Sequence, residues 1–191
     1  MQGHLDPPLS QLGERQAEAV AKRLRTYRLA ALYSSDLQRA KQTAEAIASE
    51  TGLTVQYDHR LRERHLGVLQ GKTWEEAKKK HPEVAESIMR DDPHYVIPGG
   101  ESRQRVMDRV VPFMQEMVSR YPGQQVGVVT HGGIVYLMLY YALQIPLTLH
   151  LNLQRPNAGL FVFVYDDQTW SLQCWGDTCH LDGLAVRASL G

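Results

Sequence analysis

The sequence predicts an α/β fold, a three-layer α/β/α sandwich whose mostly parallel sheet carries an antiparallel hairpin at its edge. Three observations predict it. Short apolar runs alternate with helical patterns of ten or more residues, which implies parallel strands joined by crossover helices. QVGVVTH is a near-continuous β-branched run, the composition of a strand buried on both faces. GLFVFVY and TWSLQCW flank Asp166-Asp167-Gln168 and read as a hairpin. At 191 residues and 21.7 kDa the chain can bury one substantial core, so a single domain over 1–191 is expected.

Each element follows from local signals. Ser10 can cap a helix running to about Tyr27, with Leu12, Gln16, Val20, Leu24 and Tyr27 along one stripe. LAALYSS is a short buried strand. Asp36 is expected to cap a second helix with Leu37, Ala40, Ala44, Ile47 and Ala48 on its apolar side, and Gly52 ends it. LTVQY reads as another strand. Thr73 and Glu76 have capping-box spacing over a short helix that stops near His81-Pro82. DDPHYVIPGGES is a loop, and Ser102 opens the longest helix, in which Val106, Val110, Phe113, Met114, Met117 and Tyr121 recur at helical spacing. Pro112 inside that pattern predicts a kink or a break. The chain opens on a turn and a helix, although sheets of this type usually open on a strand.

Composition removes several function classes. Lys+Arg and Asp+Glu both total 21, so the formal charge is zero and no basic surface for nucleic acid is expected. The most apolar stretch, IVYLMLYYALQIPLTL, is broken by Gln144 and Pro146 and is shorter than the roughly 20 residues of a spanning helix, so a buried helix and no membrane association are expected. MQGHLDPPLS lacks the pattern of a signal peptide. Cys174 and Cys179, the two cysteines, fit neither a disulfide framework nor a zinc pattern, and a reducing cytoplasm is the simplest compartment. Nothing in the sequence offers a metal or other cofactor site.

In open α/β sheets ligands bind beyond the carboxyl ends of the strands. YSSDLQRAKQTA places Arg39 one turn into the helix after the first strand, RLRERHLGVLQG carries Glu63 between Arg62 and Arg64, and VVTHGG sets His131 before Gly132 and Gly133 at a helix start. Singly, Arg39 reads as a surface arginine and Glu63 as an ion-paired loop residue. Together they supply a guanidinium, a carboxyl group, an imidazole and a helix N-terminus. Helix N-termini and arginine forks suit phosphate, and a carboxyl group and an imidazole suit proton transfer to a leaving oxygen.

These segments resemble a known family, the histidine phosphatases or phosphoglycerate mutase-like superfamily. YSSDLQRAKQTAEAIA, LRERHLGVLQGKTWEE, PGGES, VVTHGG and PNAGLFVFVY match its motifs in order and spacing, and the resemblance covers essentially the whole chain. It implies a phosphohistidine mechanism acting on a small phosphorylated metabolite without a cofactor. Arg39 would clamp phosphate oxygens, Glu63 would protonate the leaving alcohol, and His131 would stabilise charge developing on the phosphoryl group. Gly132 would donate its backbone amide, with Gln2 and Gly3 near the substrate's mouth.

One part of the pattern is missing. The family's nucleophile lies in an arginine-histidine-glycine triplet at the end of a first strand inside the sheet, and no such triplet occurs in the 191 residues. Arg64-His65-Leu66, the nearest look-alike, belongs to the Glu63 motif. His4 follows Gly3 in the right neighbourhood, but no strand fixes its imidazole, so it is not expected to substitute. Three expectations follow: an enzyme whose Met1 is not its natural beginning, a pseudoenzyme that binds a phosphorylated ligand without turnover, or an interaction protein whose sheet gap is filled by another chain. Within the family, a compact region from Lys72 to Pro98 favours a phosphatase, and RERHLG keeps phosphoglycerate mutase-type transfer as the alternative. The exposed edge of the hairpin could pair with a second copy in a homodimer.

Overall fold

The computed structural model describes residues 1–184 and is a three-layer α/β/α arrangement, as expected. The element order is α1 (Gln11–Leu24), β1 (Leu29–Ser34), α2 (Gln38–Thr51), β2 (Val55–Tyr57), α3 (Trp74–Lys80), α4 (Pro82–Met89), α5 (Arg103–Arg120), β3 (Gln125–Val129), α6 (Gly132–Ala142), β4 (Leu160–Asp166) and β5 (Thr169–Asp177). Strands β2, β1 and β3 form one parallel sheet in that order. β4 and β5 form a separate antiparallel pair, turned through Asp167 and Gln168 at positive φ. Among the described residues, no helix is long and apolar enough to cross a membrane.

The alternation of β1 divides the core. Leu32 points to one face and packs with Val20, Ala21 and Ile47 of α1 and α2. Ala31 and Tyr33 point to the other and meet Val110, Phe113 and Met117 of α5 and Leu137 of α6. A third cluster, Leu69, Ala77, Val84 and Ile97, seats α3 and α4 against the loop before α5.

Several local expectations hold and several need correction. Ser10 caps α1, accepting from the Gly13 amide at 3.2 Å, but the helix ends at Leu24 rather than Tyr27. Gly52 ends α2 in the left-handed region, and Thr73 and Glu76 form the capping box of α3. Asp36 does not cap α2. Its carboxylate is committed to Arg62 through two 2.6 Å bonds, and Asp6 takes its place, accepting from the Gln38 amide at 2.5 Å. Only Val55–Tyr57 of LTVQY is strand. α4 follows α3 directly, with Pro82 at its first turn, where a missing N–H costs nothing. Pro112 does not break α5. It lies on the exposed side, where the carbonyl it leaves without a donor can meet water. β3 is not buried on both faces as its composition predicts: Val128 is 36% exposed, because no described strand pairs with its second edge.

Candidate active site

The carboxyl ends of β1 and β3 adjoin, and the site is built on them. Ser35, just beyond β1, donates its backbone N–H to the carbonyl of Val129, the last residue of β3, at 2.9 Å. This tie brings the side chains that follow the two strands together. His131 is the N-cap of α6 and is buried, its Nε2 lying 2.8 Å from Ser35 Oγ. Burial, aided by the charges of Arg39, His4 and Arg109, pushes the His131 pKa down to about 3, so the imidazole is neutral near pH 7.

Glu63 arrives from the other side. Its Oε2 accepts from the Gly133 amide at 3.2 Å and its Oε1 from the Arg64 amide at 2.8 Å. The first turn of α6 has amides without intrahelical partners, and the carboxylate occupies one of them. Glycine is needed at 133, since a Cβ there would collide with Glu63 Oε1. Neither neighbouring arginine turns its guanidinium to the carboxylate. Arg62 pairs with Asp36, and Arg64 is turned inward to the carbonyls of Glu101 (2.9 Å) and Tyr95 (3.5 Å), where burial lowers its pKa to about 10.

Arg39 is the second residue of α2, inside its first turn rather than one turn in, because the helix starts at Gln38; it is half-buried and donates from its two terminal nitrogens to the carbonyls of Leu5 (3.0 Å) and Gly3 (2.9 Å). Burial lowers its pKa while Glu63 and Asp6 oppose that shift. The N-terminal segment is thereby drawn across the site. His4 Nε2 lies 2.6 Å from the Glu63 carbonyl, the His4 amide donates to Gln70 Oε1 at 2.6 Å, and the His4 and His65 rings meet edge to face. His4 is therefore fixed by contacts, although not by a strand. Gln2, Gly3, Arg39, Glu63, His131 and Gly132 all line one cleft.

A supporting layer that the sequence did not reveal holds this arrangement. Arg109 of α5 donates to the carbonyls of Arg60 (2.5 Å) and Glu63 (3.1 Å) and pairs with Glu101 at 3.1 Å. Glu101 in turn accepts from the His65 amide at 2.8 Å, and its pKa falls because the Arg109 and His65 donors outweigh the opposing effect of burial. The loop before α5 presses so closely that a Cβ on Gly100 would collide with the His65 carbonyl. No spacing rule flags Arg109 or Ser35. PGGES marked the loop only as a family motif.

The guanidinium, carboxylate, imidazole and helix N-terminus thus share one pocket, a set suited to holding a tetrahedral dianion and passing a proton to a leaving oxygen. Fold and site define the class, and the comparison of sequences agrees: the family model of the histidine phosphatase superfamily, branch 1, matches residues 1–178, and the chain belongs to that superfamily. Among its relatives, phosphoglycerate mutase-like protein 4 of Arabidopsis thaliana is 38% identical over 95% of this chain and 80% of its own length. Metal-independent phosphoserine phosphatase of the same plant is 35% identical over 96% of this chain and 77% of its own. Of solved structures, mycobacterial glucosyl-3-phosphoglycerate phosphatase in complex with VO3 is 35% identical with a TM-score of 0.82, covering 93% of this chain and 90% of that one. YhfR of Bacillus stearothermophilus is 31% identical with a TM-score of 0.86, covering 95% and 90%.

Proposed function

We propose that this domain is the scaffold of a phosphomonoester phosphatase working through a phosphohistidine intermediate, with the nucleophilic histidine supplied by a strand that is not among the 191 residues. The observation that carries the reading is the seating of the Glu63 carboxylate on the first turn of α6, two residues from buried His131 and within the electrostatic reach of Arg39. Phosphoryl transfer depends mainly on positioning and on donors around the equatorial oxygens.

In the first step an imidazole nitrogen attacks phosphorus, the phosphorus–oxygen bond to the leaving alcohol breaks, and the Glu63 carboxyl proton passes to that oxygen. In the second, water attacks the phosphorus of the phosphohistidine, the phosphorus–nitrogen bond breaks with its electron pair returning to the imidazole, the carboxylate takes a proton from the water, and inorganic phosphate leaves. Arg39, His131 as a hydrogen-bond donor and the Gly132 amide hold the phosphoryl oxygens in both steps. Gln2 and Gly3 sit at the mouth, where the substrate's alcohol portion enters.

The substrate is a small phosphorylated metabolite. The compact Lys72–Pro98 region, filled by α3 and α4, favours hydrolysis. Mutase transfer is the second reading, since probable phosphoglycerate mutase GpmB of Salmonella is 31% identical over 97% of this chain. Two free thiols, Cys174 and Cys179, fit a cytoplasmic protein, and the outer edge of β5 is the surface for a homodimer.

The test has two arms. The 191-residue chain should bind orthovanadate without hydrolysing p-nitrophenyl phosphate, and Arg39→Ala should abolish that binding. Joined ahead of Met1 to a strand ending in arginine-histidine-glycine, it should hydrolyse the ester, and His131→Ala in that extended protein should lose about 10²–10³-fold in kcat, the usual cost of one transition-state donor. Binding of vanadate unaffected by Arg39→Ala, or an extended protein without turnover, would remove the reading.

A further inference from the structure

Glu63 is held through its backbone as well as through its carboxylate. Its carbonyl and the Arg64 amide belong to one planar peptide unit, so the two turn together. On the carbonyl side two donors converge, His4 Nε2 at 2.6 Å and Arg109 Nη2 at 3.1 Å. On the amide side the Arg64 N–H donates to Glu63 Oε1 at 2.8 Å, and Oε2 accepts from Gly133 at 3.2 Å. A carbonyl oxygen can only accept, so the His4 ring carries its proton on Nε2. An unbroken chain results: imidazole N–H to carbonyl, then amide N–H to carboxylate, each bond polarising the next.

The His4 ring is itself firmly placed. Its backbone amide donates to Gln70 Oε1 at 2.6 Å. Gly3 before it lies at φ +56°, and a Cβ there would meet Gln70 Oε1 and the Leu66 amide. The ring stands edge to face with His65 at 4.7 Å between centroids, and His65 Nδ1 accepts from the Gly67 amide at 3.0 Å, which fixes that partner in turn. Arg109 divides its guanidinium among the Arg60 carbonyl, Glu101 and the Glu63 carbonyl. His4 Nε2 has one proton and gives it to Glu63.

We propose that His4 is the positioning residue for Glu63: its Nε2–H sets the tilt of the peptide between Glu63 and Arg64 and so aims the carboxyl group at the turn that His131 caps. The catalytic consequence rests on the proposed function, in which Glu63 is the proton donor. The aiming itself does not.

His4→Phe and His4→Gln separate the N–H from the ring. Phenylalanine keeps an aromatic ring against His65 and lacks the donor, whereas glutamine lacks the ring and can set an amide N–H near the place of Nε2. In the 191-residue protein, His4→Phe should speed exchange of the Arg64 and Gly133 amides about tenfold or more, as expected for amides released from the carboxylate. His4→Gln should hold both near their wild-type rates. In the extended, strand-bearing protein, His4→Phe should lower kcat on an alkyl phosphate about 10²-fold with KM little changed, the cost of a reacting group misplaced by an ångström. p-Nitrophenyl phosphate should be much less affected, and His4→Gln should recover most of the loss.

Unmoved amides in a folded His4→Phe protein, or amides released equally by His4→Gln, would overturn the assignment. If His4→Phe does not fold, His4→Gln decides alone, wild-type exchange upholding the donor and faster exchange refuting it. The two proposals fail separately. Amides released in His4→Phe, with no turnover from the extended protein, uphold the positioning and count against the phosphohistidine reading. Turnover from the extended protein, with amides unmoved by His4→Phe, does the reverse.

Discussion

Glu63 and Gly133 are joined across the fold: the Gly133 amide at the start of α6 donates to Glu63 Oε2 at 3.2 Å, and the absent side chain at 133 is what lets the carboxylate come so near. A helix N-terminus and a loop carboxylate thereby fix each other, and the carboxyl proposed as the proton donor is held at the turn that His131 caps by backbone rather than by a flexible partner.

Gly133→Ala should displace that carboxylate while sparing the fold. The obstructing atoms are the far end of a flexible side chain, and alanine is the better helix former by about 1 kcal/mol. Tm should stay level or rise. In the extended, strand-bearing protein, hydrolysis of an alkyl phosphate should fall by about 10²–10⁴, the range for lost general acid catalysis. p-Nitrophenyl phosphate, whose leaving group needs little protonation, should be much less affected. Equal losses on both esters would show that Glu63 does not act as the acid.

Ser35→Ala removes the hydroxyl that meets His131 Nε2 at 2.8 Å in a buried setting. A buried polar atom left without a partner costs about 1–3 kcal/mol. Chemical denaturation should show a loss of that size, and vanadate affinity should weaken as the ring loses its orientation. An unchanged midpoint would mean that water replaces the hydroxyl.

Acid should destabilise the protein through His131 before the carboxylates titrate. Its folded pKa lies near 3, below the roughly 6.5 of an unfolded histidine, so between these values the unfolded state binds more protons. Stability is full above about pH 6.5 and falls as pH drops, with a slope approaching about 1.4 kcal/mol per pH unit for that one group. His4, also lowered by burial, adds in the same direction. Glu101 and Asp36, both held low, contribute only at more acid pH. Denaturation curves at pH 7.0 and 5.5 should therefore differ for the wild type and differ by less for His131→Gln, in which the His4 contribution remains. A slope undiminished by the substitution would reassign the effect to other groups.

Arg109→Met should be the most damaging of these changes. It removes donors from the Arg60 and Glu63 carbonyls and leaves Glu101 without its cation in a largely buried position. Breaking such a pair from one side costs about 2–4 kcal/mol after allowance for partial exposure. At about 2–4 °C per kcal/mol for a chain of this size, Tm should drop by roughly 5–15 °C, measurable by calorimetry.

Local chemistry made much of this legible in advance. Ser10, Gly52 and the Thr73–Glu76 box acted as expected because a cap is decided within a few residues of chain. Asp36 failed as a cap because Arg62, 26 residues away, competes for its carboxylate, and no local rule reports such a competitor. α4 was missed because proline after α3 looks like an ending, although proline at a first turn begins a helix equally well. For the site, Arg39, Glu63 and His131 stood out by their places after strands. Ser35 and Arg109 did not, since their roles depend on partners distant in sequence.

The sequence by itself determined the alternation of strands and helices and the residue types gathered at the strand ends, because periodicity and capping act over short spans. Only the tertiary structure decided that the guanidinium groups of Arg62 and Arg64 turn away from Glu63, that Gly133 receives its carboxylate, and that Arg109 ties Glu101 to the Glu63 loop. These are matters of which distant groups meet. A chain of mostly local preferences does not encode them until packing brings its segments together.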